Sequence, residues 1–322
     1  ENSAMRRSPR RRVCRRVLIA VRDPAHVPRA QLRKAARIAR LTGASVEIFH
    51  AIGAARMPGP DPVQVKARRG LERLGRLPCF SGLRVKTQMV WDYPPHEAVV
   101  RRVLESGADF VVAASATHRL GQRLFLSNTD WELIRYCPVP ILLVKSVRDY
   151  QRPAVLAAVD PFHEHAKPAA LDARLLGSGA AIARLLRGSL HVFHAYLPLV
   201  FNVMVPMDQG PMWLPREAEE AHAAAMRRAF VRLAEAAGVP GERRHLAVGD
   251  VTDRLAATVR RIGADIVVMG AVSRSGLKRL FIGSTAERVL DSLRCDVLIV
   301  KPRGFRSLVP RRRSPFTGPT LY

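Results

Sequence analysis

Residues 107–146 and 263–302 are two copies of one pattern, and this constrains the possible folds more than any other feature of the chain. The first copy reads GADFVVAASATHRLGQRLFLSNTDWELIRYCPVPILLVKS and the second GADIVVMGAVSRSGLKRLFIGSTAERVLDSLRCDVLIVKP. They align without a gap at an offset of 156, sharing Gly-Ala-Asp, Val-Val, Arg-Leu-Phe, a Thr and a closing Leu-x-Val-Lys. The openings of the copies match as well: VLIAVRDP at 17–24 with VLAAVDP at 155–161, and IARLTGASVEIFHA at 38–51 with IARLLRGSLHVFHA at 182–195. Self-similarity at a long fixed interval marks a duplicated structural unit. The chain therefore reads as a tandem duplication with its junction near 147–153, VRDYQRP.

Each copy alternates short apolar runs with helical stretches. In the second copy AVLAAV, SLHVFHA, RRHLAV, DIVVMG and DVLIVKP read as strands, and residues 169–187, 216–238, VTDRLAATVRRIG and STAERVLDSL as helices. Helix 216–238 is rich in alanine, acidic in its first turn and followed by glycine, which are start and stop signals. Continuous β-branched runs joined by helices indicate a mostly parallel sheet covered on both faces. The expectation is two tandem doubly wound α/β units, each a five-stranded sheet, at 17–148 and 153–302, flanked by basic tails at 1–16 and 303–322. A chain of 322 residues, 48% apolar, is long enough for about two such cores. In open parallel sheets ligands bind at the carboxyl ends of the strands beside the topological switch point, so the exits of strands one and four are the places to look.

The net charge is +26. The first tail holds seven arginines against one glutamate, and the second five arginines and no acid, so more than half of the surplus lies in the core. Such a balance fits either solvated faces or an anionic partner: nucleic acid, polyphosphate or an anionic membrane surface. No apolar run reaches the roughly 18–20 residues of a membrane span, and the basic N-terminus has no apolar signal core, so a cytoplasmic location is expected. Cys14, Cys79, Cys137 and Cys295 are far apart and form no CxxC pair, which suits thiols in a reducing compartment.

The second copy resembles the universal stress protein family. The resemblance rests on Asp160 at the end of strand one, Gly249-Asp250 after strand three, GADIVVMG, the glycine-rich region closing in Gly283-Ser284, and CDVLIVKP. The tandem arrangement, with VDPFHEH and STAERVLDSLRCDVLIVKP, is similar to the E-type tandem bacterial members. The resemblance implies an adenine nucleotide alpha hydrolase-like fold and halves that pair through their closing strands, as family dimers do. It also implies a role in stress adaptation as a ligand sensor or interaction module. In ATP-binding members the loop after strand four wraps the phosphates, and the strand-one Asp contacts the adenosine. Carried over, the cofactor-binding residues are Asp160, Gly270, Ser273, Gly283 and Ser284, holding ATP or another adenine nucleotide, with Mg2+ beside it. Ser273 departs from the pattern by putting a Cβ where family members have glycine. Chemistry agrees with the rest: glycine lets backbone amides approach anionic oxygens, and a helix start adds free N–H groups and the positive dipole end. The first copy has Ala114, Thr117, Ser127 and Asn128 at these positions, and either Arg22 or Asp23 at the strand-one exit. Asp130 just inside its helix would repel phosphate, so this half is expected to be a structural partner or to hold another ligand.

Other readings stay open. His163 and His165 in DPFHEH, joined by His191 or His194, are candidate metal ligands, against a loop of ordinary polar residues. His50 and His194 recur in FHA, which fits a shared packing role. The segment 196–213, YLPLVFNVMVPMDQGPMW, is apolar and rich in methionine, and would line a pocket for an apolar or lipid-like ligand or pack against the other half. No GxSxG, GxxxxGK or HExxH motif is present, so binding without fast turnover is expected, with weak nucleotide hydrolysis as the enzymatic alternative. Oligomerisation and an anionic partner held through the arginine-rich surface are the remaining partner expectations.

Overall fold

The computed structural model describes residues 14–53, 62–115, 127–162, 170–198, 216–270 and 284–312. The first half runs β1 (Arg16–Ala20), α1 (Arg29–Thr42), β2 (Ser45–Ile52), α2 (Pro62–Gly75), β3 (Val85–Trp91), α3 (Pro95–Ser106), β4 (Phe110–Ala114), α4 (Asn128–Tyr136) and β5 (Ile141–Val144). The second half repeats it: β6 (Ala154–Ala158), α5 (Leu171–Leu185), β7 (Ser189–Tyr196), α6 (Arg216–Ala236), β8 (Arg244–Val248), α7 (Val251–Ile262), β9 (Ile266–Gly270), α8 (Ser284–Ser292) and β10 (Asp296–Val300).

The two five-stranded sheets join into one ten-stranded sheet, in the order β3-β2-β1-β4-β5-β10-β9-β6-β7-β8. Every pairing inside a half is parallel, whereas β5 and β10 run antiparallel, with Leu142 opposite Leu298. This antiparallel seam relates the halves by an approximate two-fold axis. Alternate strand residues enter opposite cores, as the period of two requires. Val17 and Ile19 belong to the core layer shared with residues of α1, α2, α5 and α6, while Leu18 belongs to the opposite layer, shared with residues of α3, α4, α7 and α8.

The repeated landmarks have structural jobs. The aspartate of each Gly-Ala-Asp clamps the start of a first strand: Asp109 accepts from the backbone N–H of Arg15 at 2.7 Å, and Asp265 from that of Ala154 at 3.0 Å. The closing lysines cross the seam. Lys145 donates to the Leu290 carbonyl on α8, and Lys301 to the Arg135 carbonyl on α4 at 3.0 Å. Each half thus places a cation at the carboxyl-terminal end of the other half's last helix, where the dipole favours it.

Lys301 is buried, and burial lowers its pKa to about 8. Between that value and the ordinary 10.5, the unfolded chain holds a proton that the folded chain has released, so stability rises with pH in this window. Urea denaturation should show wild type gaining on Lys301→Met from pH 8 to 10.5. A constant difference across that window would contradict the assignment. All four cysteines are free thiols, and burial pushes Cys14, Cys137 and Cys295 up to about 12, far from a reactive thiolate.

Candidate functional site

Each half has its switch point where its first strand leaves its fourth: β1 beside β4, and β6 beside β9. The backbone registers are equivalent at both. Val21 N–H donates to the Phe49 carbonyl at 2.8 Å, and Val159 N–H to that of Phe193 at 2.9 Å. The recurring histidines complete the match. His50 Nδ1 bonds the Val21 carbonyl at 2.9 Å, and His194 Nδ1 bonds the Val159 carbonyl at 3.0 Å. Each ring thus pins the exit of a first strand to the second strand. This register puts Arg22, not Asp23, at the position of Asp160, so the strand-one exits carry opposite charges.

In the first half the cleft is small, about 130 Å3, and its lining includes Val21, Gln31, His96 and Asp130. Gln31 spans the fork, donating to the Ala20 carbonyl at 2.9 Å and the Val112 carbonyl at 3.1 Å. Ser127 and Asp130 form a capping box: the Asp130 carboxylate accepts from the Ser127 N–H at 3.0 Å, and Ser127 Oγ accepts from the Asp130 N–H. Arg22 reaches across from β1 to the same carboxylate at 2.7 Å, and to Ser127 Oγ at 3.1 Å. The amino end of α4, where an anion would sit, thus already holds one of the protein's own carboxylates.

In the second half the same places are occupied differently. Asp160 is buried, and its N–H donates to both carboxylate oxygens of Asp172 at 3.2 Å. Gly270 ends β9, and α8 begins at Ser284. The residue equivalent to Asp130 is Ala286, so a methyl replaces the carboxylate at this position, with Glu287 next in sequence. Ser273 and Gly283 lie outside the described residues, as do Thr117, His163 and His165. Gly249 and Asp250 form the neighbouring rim. Gly249 has φ 128°, a conformation that favours glycine, and a Cβ there would lie 2.7 Å from Arg254 Nε. Asp250 caps α7 through the Thr252 and Asp253 amides, and its carboxylate lies 3.6 Å from Arg288 on α8. The Asp253 amide is the main cause holding the Asp250 carboxyl below its ordinary range.

Among the described residues no group of three or more His, Cys, Asp or Glu could hold a metal. The suggestion that His191 completes such a site is corrected by its place near the amino end of β7, away from the strand-one exit. There it bonds Ser189 and stacks on His245, which in turn bonds Arg261. The apolar segment 196–213 falls outside the described residues from 199 onward. A different apolar groove, of about 1050 Å3, runs between α1 and α5 over Phe110 and Leu298.

The Universal stress protein family model matches residues 14–145 and 153–301. The chain belongs to the universal stress protein family. Universal stress protein E of Escherichia coli K12 is 28% identical to it over 230 residues, 71% of this chain and 72% of the relative. The universal stress protein E homolog of Haemophilus influenzae is 26% identical over 226 residues, 68% of this chain and 71% of the relative. A functionally unknown protein from Pseudomonas aeruginosa PAO1 shares the fold, with a TM-score of 0.72 at 24% identity, over 90% of this chain and 93% of that one. Among the described residues, no helix of this universal stress protein is long and apolar enough to cross a membrane.

Proposed function

We propose that this universal stress protein binds one adenine nucleotide in the cleft between β6 and β9, and acts in stress adaptation as a ligand sensor or interaction module. The observation that carries the reading is the contrast between the two helix starts. In the first half Arg22 and Asp130 fill the anion position with an internal ion pair. In the second, Ala286 leaves the first turn of α8 without that carboxylate, and the strand-one exit carries Asp160. Among the described residues, the buried Asp160 at the strand-one exit and the absence of a carboxylate at position 286 suit such a group. Asp160 would take the adenosine, while Gly270, Ser273, Gly283 and Ser284 would hold the phosphates, with Mg2+ alongside. Nucleotide binding would shift the population of a partner-facing surface.

Calorimetric titration of ATP with Mg2+, and of AMP, into the full chain tests this. One site per chain is expected, with affinity about tenfold or more lower in Asp160→Ala, the loss of roughly one charged hydrogen bond. Absence of binding at millimolar nucleotide would overturn the reading.

A further inference from the structure

We propose that the outer face of α2 is a docking surface for a nucleic-acid duplex, held through the phosphate backbone without reading base sequence. Helix α2 carries Lys66, Arg68, Arg69 and Arg73, with Arg76 just beyond its end. All five are exposed, and none makes an ion pair with a described residue. Some of the protein's other arginines are ion-paired, as Arg33 is with Asp149, Arg101 with Asp92 and Glu97, and Arg102 with Glu47. Lys66, Arg69, Arg73 and Arg76 recur at steps of three and four, which places them in one stripe along the helix. At 1.5 Å per residue the stripe is about 15 Å long. The four cations, with Glu72 as the one acid, line a shallow hollow of about 760 Å3. The helix packs on the outermost strand, β3, so nothing described stands over it.

The duplication supplies an internal control for the arginine-rich composition. Helix α6 occupies the equivalent place, between β7 and β8. Its Arg216, Arg227, Arg228 and Arg232 are matched in number by Glu217, Glu219, Glu220 and Glu235, although Glu235 pairs with Arg244 beyond the helix. Composition alone would have loaded both helices alike, so of these two equivalent helices only α2 carries a net positive surplus.

Charge pattern and chemistry select the partner. A helix that lies in a membrane interface turns an apolar face to the lipid. The apolar side of α2 faces the core, with Leu71 buried and Leu74 packed beside it, and the single exposed Val65 at the hollow does not make an apolar face. Single strands are gripped by aromatic stacking platforms, and α2 has no aromatic residue. A line of unpaired cations without aromatics suits the regularly spaced phosphates of a duplex.

The test is fluorescence anisotropy of a labelled duplex DNA of about 20 base pairs with the full chain, titrated at several salt concentrations. Each phosphate neutralised contributes about 0.9 to the slope of log K against log salt, so Lys66→Gln/Arg69→Gln/Arg73→Gln/Arg76→Gln should flatten the slope by about 3–4. At low salt its affinity should fall by ~30-fold or more, whereas Arg227→Gln/Arg228→Gln/Arg232→Gln on α6 should bind nearly as wild type. Glu72→Gln should tighten binding about twofold by removing the acid from the stripe. An unchanged slope in the α2 variant overturns the proposal, and so does an equal loss in the α6 variant. A loss confined to phosphatidylserine vesicles, with duplex binding intact, also overturns it. Each of these readouts is independent of nucleotide titration, so the proposal stands or falls separately from the cleft.

Discussion

Replacing Asp296 with asparagine is expected to destabilise the protein by about 3–5 kcal/mol, the usual cost of removing one partner from a buried ion pair. Asp296 at the start of β10 is fully buried, and Lys34 on α1 is 1% exposed. Their atoms meet at 2.5 Å across the seam between the halves. The other acceptor positions are also used. Asp296 Oδ1 takes the N–H groups of Lys145 at 2.9 Å and Ser146 at 2.8 Å, and Oδ2 takes the Tyr150 hydroxyl. Lys34 donates further to the Ser146 carbonyl at 2.7 Å and lies 4.7 Å from the centre of the Tyr150 ring. Burial, reinforced by the Asp296 charge, pushes the Tyr150 phenol well above its usual range, so it stays protonated as a donor. One carboxylate thus fastens α1, the linker and β10 together. Lys34→Met should cost a comparable amount, and the double variant much less than the sum of the two, because the second change removes a charge already stranded by the first. Urea denaturation with a double-mutant cycle measures this. A loss under about 1 kcal/mol in either single variant would mean that the clasp is replaced by water on substitution.

The clasp also marks where the sequence stopped being legible. The duplication disclosed the repeated topology, because apolar runs and helix caps recur in the same order. Gly263, for instance, ends α7 as expected. Nothing in CDVLIVKP distinguishes Asp296 from an exposed strand-start aspartate. Its partners, Lys34 and Tyr150, are remote in sequence, and the first copy has Pro140 at the equivalent place. The closing lysines were visible as a shared motif, but their reach into the opposite half depends on the antiparallel seam. At the cleft, Asp160 was implied by the family resemblance and the repulsive position of Asp130 followed from the gapless alignment of the two copies, whereas the choice between Arg22 and Asp23 could not be made. It took the Val21–Phe49 hydrogen bond to fix the register, and with it the ion pair that closes the first site. The basic stripe was hidden inside a chain-wide charge surplus. Only the placement of α2 and α6 as structural equivalents separates it from background.

The same comparison of halves predicts that Ala286→Asp lowers ATP affinity by about 100-fold, or ~2.7 kcal/mol. The substitution puts a carboxylate where Asp130 stands in the first half, within the first turn of α8. At an effective dielectric constant near 20, two unit charges about 5 Å apart repel by roughly 3 kcal/mol, so a phosphate at this helix start would lose most of its binding energy. The carboxylate would also compete for the amides that the phosphate needs, as Asp130 does by accepting from Ser127 N–H. Stability should move the other way. An acid in the first turn favours the helix by about 0.3–1 kcal/mol, so the variant should melt no lower than wild type. This opposition of signs separates a blocked site from a damaged fold. Adding Asp160→Arg would rebuild the pair that Arg22 and Asp130 make, giving a folded chain with both clefts closed and no nucleotide bound by calorimetry. If Ala286→Asp binds ATP as wild type does, the phosphates do not rest on α8. The nucleotide would then have to be held by the rim around Gly249 and Asp250, where Arg288 already approaches the carboxylate.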